Sequence, residues 1–126
     1  METYYLKPLV DSSSMKLLVV IIQDRVALIA KYSRLIEGMD PDDASQWQHI
    51  VAAAREGGVN KEALCEAFSC AWSTVLRWQA GRNAPGQFSR GAMKARLLGL
   101  LGDRHAAELE RLKEAKAAVE RVAQAA

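Results

Sequence analysis

Three glycines frame the segment that most narrows what this chain can become: Gly57 and Gly58 on one side and Gly81 on the other. Glycine takes the left-handed backbone conformation at little cost and so commonly ends helices. Just inside the first pair, Asn60 offers a side-chain oxygen to a free backbone N–H and starts a short helix over about 61–68. After a tight turn, a second short helix spans about 71–80 and is closed by Gly81. Leu64, Phe68, Val75 and Trp78 form an apolar seam between the two, and Ala67 is small where they approach most closely. Ser73, Thr74 and Arg77, at i, i+1 and i+4 of the second helix, face outward.

The flanks are helical too. Ala, Leu, Glu, Lys and Arg abound, prolines number 3 and glycines 8, and no run of alternating strand residues stands out. An all-α fold of about five helices is expected. Residues 1–13 are ambiguous: Tyr4, Tyr5 and Leu6 form a short strand or simply pack, and Pro8 and Ser12–Ser14 break the segment. Ser13 or Ser14 caps a long helix to about Ile36, ended by Gly38. Its wide apolar stripe includes Leu17, Leu18, Ile21, Leu28, Tyr32 and Leu35, which must be buried against the rest of the chain or in a second copy. Asp40-Pro41-Asp42-Asp43 starts the next helix, with Asp40 as cap and Pro41 where no N–H is needed. Trp47, Ile50, Val51 and Ala54 carry that helix to about Glu56. Beyond the loop Asn83-Ala84-Pro85-Gly86, one helix is expected over about 89–101 and another over about 103–124. Leu109, Leu112, Ala115, Val119 and Val122 line one stripe of the last, which packs on the N-terminal helix, on a second subunit, or on both. The resulting division is 1–38 for packing or dimerisation, 40–101 for the two short helices and their supports, and 102–126 for the C-terminal helix.

The net charge of +2 argues little, but its distribution says more. Residues 37–66 hold seven acids against Arg55 and Lys61. Residues 67–102 hold Arg77, Arg82, Arg90, Lys94 and Arg96 and no acid, the kind of local field a phosphate backbone requires. Arg90, Lys94 and Arg96 read more readily as a solvated helix face than as specific contacts. Cys65 and Cys70, spaced C-x₄-C without a second pair, read as small semi-buried residues and not as a zinc site. No signal peptide is apparent, and the apolar run from Leu17 to Ile22 meets Gln23, Asp24 and Arg25 too soon to span a bilayer. The expectation is a cytoplasmic, nucleoid-associated chain with no membrane partner.

The run from Gly58 to Trp78, GVNKEALCEAFSCAWSTVLRW, resembles the helix-turn-helix of the Cro/phage-repressor (lambda-repressor-like) family. Gly81-Arg82-Asn83-Ala84-Pro85 resembles that family's exit from its recognition helix, and the likeness covers about residues 47–101. It implies a DNA-binding domain whose second short helix enters the major groove. By position, Trp72, Ser73, Thr74 and Arg77 are the implied base contacts, with Arg77 suited to a bidentate pair with guanine. Lys61, Arg82 and Asn83 are the implied phosphate contacts. Ser69 stands where the family carries glycine, Ala71 cannot cap the second helix, and Trp72 and Leu76 are unusual on an outward face.

These readings lead to a sequence-specific transcription regulator of bacterial or phage type. Its partners are double-stranded DNA, a second copy in a homodimer, and RNA polymerase or another regulatory protein. The rival is a protein-interaction module on the same fold, such as an anti-activator, an antitoxin or an assembly subunit, motivated by Trp72 and Leu76. No enzyme, cofactor or metal is expected: no nucleophile–base pair, carboxylate pair or phosphate loop is present, and Asp42 and Asp43 read as helix-start charges.

Overall fold

The computed structural model describes residues 12–125, and the expected strand or packing segment at Tyr4–Leu6 lies outside them. Its five α-helices are α1 (Ser12–Glu37), α2 (Trp47–Glu56), α3 (Lys61–Phe68), α4 (Trp72–Gln79) and α5 (Arg90–Ala125). A 3-10 turn, Ala44–Gln46, leads into α2, and no strand occurs among the described residues. No described helix is long and apolar enough to cross a membrane.

Residues 28–104 form one compact unit. Its core joins Ile29 and Ile36 of α1, Trp47, Ile50, Val51 and Ala54 of α2, Leu64 and Phe68 of α3, Val75 and Trp78 of α4, and Leu97 and Leu101 of α5. Three aromatic rings, one from each short helix, meet edge to face at its centre. Trp47 lies 6.0 Å from Phe68 and 6.2 Å from Trp78, and Phe68 lies 5.6 Å from Trp78, centroid to centroid. Each such pair contributes about 0.5–1.5 kcal/mol beyond the area it buries. The Trp47 indole N–H is not stranded in this apolar setting, because it donates to the Pro41 carbonyl at 2.8 Å.

The short helices all stop in the same way. After α2, α3 and α4 a residue with positive φ turns the chain: Gly58 (93°), Ser69 (52°) and Gly81 (76°). Each turn then closes two hydrogen bonds to the end of its helix. Val59 N–H reaches the Ala54 carbonyl, Cys70 that of Cys65 and Arg82 that of Arg77, and a second, inner bond closes each turn. In chain order those inner bonds run Gly58 to Arg55, Ser69 to Glu66 and Gly81 to Trp78. Asn60 caps α3 as expected, accepting from Ala63 N–H at 2.8 Å.

Residues 12–27 together with 105–125 belong to the other compact unit. Ile22 is its one buried hydrophobic residue among those described. Leu112, Ala115, Val119 and Val122 are half-buried, whereas Leu109 is 44% exposed. The stripe expected to be covered is largely open: Leu17 is 61% exposed, and Leu18, Val20 and Ile21 are between 40% and 50%.

Three expectations need correction. Residues 90–125 are one helix, not two: Gly99 and Gly102 lie inside it with open space where a Cβ would sit. Interior glycine costs a helix only about 1 kcal/mol, and no proline follows to break it. Ser13 and Ser14 do not cap α1, since the chain is already helical at Ser12. The cap before α2 is Asp43, not Asp40. Asp43 accepts from Ser45 N–H at 3.0 Å, while Asp40 turns the chain by accepting from Asp42 N–H at 2.9 Å. The compact units divide at 27–28 and 104–105, within the two long helices.

Candidate nucleic-acid interface

The helix α4 has two unlike sides. Val75 and Trp78 are buried in the core, and α4 packs chiefly on α2 and also on α3. Ser73 and Arg77, one turn apart, are exposed. Thr74 is half-buried, and its Oγ1 accepts from Arg77 Nη2 at 3.4 Å, a long bond that aligns the guanidinium with the helix. Leu76 is 43% exposed beside Arg77. The helix starts without a side-chain cap, since Ala71 has none to offer.

The remaining predicted residues lie at helix and turn boundaries. Lys61 is the exposed first residue of α3. Arg82 and Asn83 are exposed just after Gly81, and Asn83 Oδ1 accepts from Ala84 N–H at 2.9 Å. A substitute for Gly81 would be strained, and the Gln48 side chain would have to shift. Beyond its positive φ, a Cβ would come within 2.7 Å of Gln48 Oε1. Trp72 is half-buried, and two cations approach its ring. The Arg55 guanidinium carbon lies 5.0 Å from the centroid and Lys61 Nζ lies 5.9 Å away.

The acid-free stretch turns out to hold two kinds of cation. Arg90 and Lys94 are half-buried and Arg96 is exposed, and each donates to a backbone carbonyl. Arg90 Nε reaches Pro85 at 2.9 Å and Nη1 reaches Asp42 at 3.1 Å. Lys94 Nζ closes the end of α1, bonding Glu37 at 3.0 Å and Met39 at 2.7 Å. Arg96 Nη1 reaches Ala67, near the end of α3, at 3.4 Å. Helix ends leave carbonyls without intrahelical partners, and a cation there satisfies both the bond and the helix dipole. Arg77 and Arg82 are the cations of this stretch on the exposed surface around α4.

Sequence reasoning passed over Arg55 and Gln79. Arg55 Nη1 donates to Gln79 Oε1, so one α2 side chain touches both the first and the last residue of α4. Their separation of 24 positions leaves no local pattern that reveals the pair.

Cys65 and Cys70 are both free and half-buried. Burial first, and then the neighbouring Cys65, raises the Cys70 thiol above its ordinary range. No group of three or more His, Cys, Asp or Glu placed to hold a metal ion occurs among the described residues. Comparison with family models, with curated protein sequences and with solved structures finds no match.

Proposed function

We propose that this chain is a sequence-specific regulator that binds duplex DNA with α4 in the major groove, on the plan of the Cro/phage-repressor helix-turn-helix that its sequence resembles. One observation carries the reading: Ser73 and Arg77 stand exposed on a helix whose opposite side, Val75 and Trp78, is locked in the core. A reading helix needs both properties, because base edges are met by side chains whose backbone does not yield. Arg77 pairs with guanine, and Ser73 and Thr74 supply shorter polar contacts. Lys61, Arg82 and Asn83 meet phosphates and set the register. The chain acts as a homodimer on half-sites about 34 Å apart, since one short helix buries too little surface for tight, selective binding.

Selection of bound duplexes from a randomised pool, repeated with Arg77→Ala, tests this reading. The wild type enriches a symmetric motif; the variant keeps its helical circular dichroism and loses the motif's guanine preference. Unchanged selection would defeat the assignment. Light scattering at the concentrations that bind DNA is expected to give a dimer mass. The exposed Leu76 favours a second reading, a protein-interaction module. In that case Leu76→Gln abolishes a protein partner's binding while Arg77→Ala leaves it intact.

A further inference from the structure

Two like charges converge on a single indole. Arg55, next to last in α2, and Lys61, first in α3, both lie within 6 Å of the ring of Trp72, first in α4. Cations repel, so such a meeting must be compensated. The ring's negative face attracts each of them. Gln79 Oε1 accepts a bond from Arg55 as well. No carboxylate shares in it: the one ion pair among the described residues is Arg111–Glu108. Neutralisation by an acid would have been available from Glu56, Glu62 or Glu66 nearby in sequence, yet none takes either cation. A pair of cations oriented by an aromatic ring and left without an anion is a surface prepared for an external one.

We propose that Arg55 and Lys61, held on Trp72, grip the phosphodiester backbone beside the start of α4, and that Trp72 acts as a positioning residue and does not read a base. The inference rests on α4 entering the groove, as set out above. It reassigns the leading residue of α4: its ring is occupied by two cations and only half-exposed, so its work is to aim them. It also adds Arg55, a residue outside both short helices, to the DNA surface. Backbone contacts of this kind raise affinity for every sequence alike and steepen its salt dependence by about 0.9 in the logarithmic slope for each phosphate neutralised.

The test is the salt dependence of binding to a fluorescein-labelled mixed-sequence duplex two helical turns long, measured by anisotropy. Arg55→Gln and Lys61→Gln are surface changes that leave the core intact, and each is expected to lower the slope by about 0.9. Trp72→Ala is expected to lower it by more than either, and Trp72→Phe, which restores a ring face, to recover most of the loss. Selection from a randomised pool should return the same motif for all four variants as for the wild type. The anchor is overturned if the Arg55→Gln and Lys61→Gln slopes match the wild type, or if Trp72→Phe changes the base selected at one position with its slope unaltered. A wild-type chain that binds no duplex at all overturns the reading beneath it instead.

Discussion

The two compact units use apolar residues in opposite ways. In residues 28–104, Trp47, Phe68, Ile36, Ile50, Leu64, Leu97, Leu101, Val51 and Val75 are fully buried. In residues 12–27 with 105–125, the run Leu17–Ile22 is at least as apolar, yet four of its six residues are 40% exposed or more. Hydropathy therefore does not decide burial; the number of neighbouring elements does. Three short helices, each stopped by a left-handed turn, can surround one another and the ends of the longer ones. Two helical segments alone cover only facing stripes, and a helix that is apolar most of the way round keeps a surplus.

Tryptophan fluorescence isolates the first unit, because Trp47, Trp72 and Trp78 all belong to it. The largest expected effect there is from Trp47→Ala. It empties the centre of the aromatic triangle and leaves the Pro41 carbonyl unbonded, at a cost of about 3–5 kcal/mol in urea unfolding followed by that fluorescence. A loss below 1 kcal/mol would mean the closed unit is not as tightly packed as its burial indicates. Ser69→Gly should act in the other direction. Ser69 alone among the described non-glycine residues holds positive φ, and relieving it is expected to stabilise the same unit by about 1 kcal/mol. Leu17→Gln, in the open unit, should shift the fluorescence midpoint by no more than about 0.5 kcal/mol, as exposed sites usually do. A larger shift would erase the contrast between the units.

The smallest effect concerns acid. The hydroxyl of Ser45, then its backbone N–H and the Gln46 amide, hold the Asp43 carboxyl below its ordinary range. A depressed folded value means that the carboxylate's contribution is complete above the unfolded value, about 4, and disappears as pH falls through the folded one. Asp43→Ala should accordingly be less stable than the wild type at pH 6, with the difference shrinking as pH falls below the unfolded value and through the depressed folded one. A difference that persists unchanged at low pH would show that the cap works without its charge.

Much of the closed unit was legible from sequence. Gly57-Gly58, Asn60 and Gly81 mark helix ends whose causes are local, and the seam of Leu64, Phe68, Val75 and Trp78 follows from spacing alone. Three features were not legible, for physical reasons. Glycine at 99 and 102 breaks a helix only where the turn pays back the lost hydrogen bonds, and that depends on tertiary surroundings. Asp40 and Asp43 carry the same chemistry, so choosing the cap between them depends on which carboxylate the backbone meets. The roles of Arg55, Lys94 and Arg96, and the Arg90 bond to Asp42, depend on partners 24 to 57 positions away, which no short window along the chain encloses. The candidate surface was therefore visible as a set of residue types, while the sorting of its cations was not.

That sorting bears on how the chain can change over generations. Lys94 closes two carbonyls and Arg90 two more, so drift at either position is penalised by a weakened scaffold whatever the chain binds. Arg77, whose guanidinium bonds the Thr74 hydroxyl, and the exposed Arg82 carry no such duty to the main chain, so change there spares the scaffold. Substitution at those two positions leaves the charge that supports the scaffold in place.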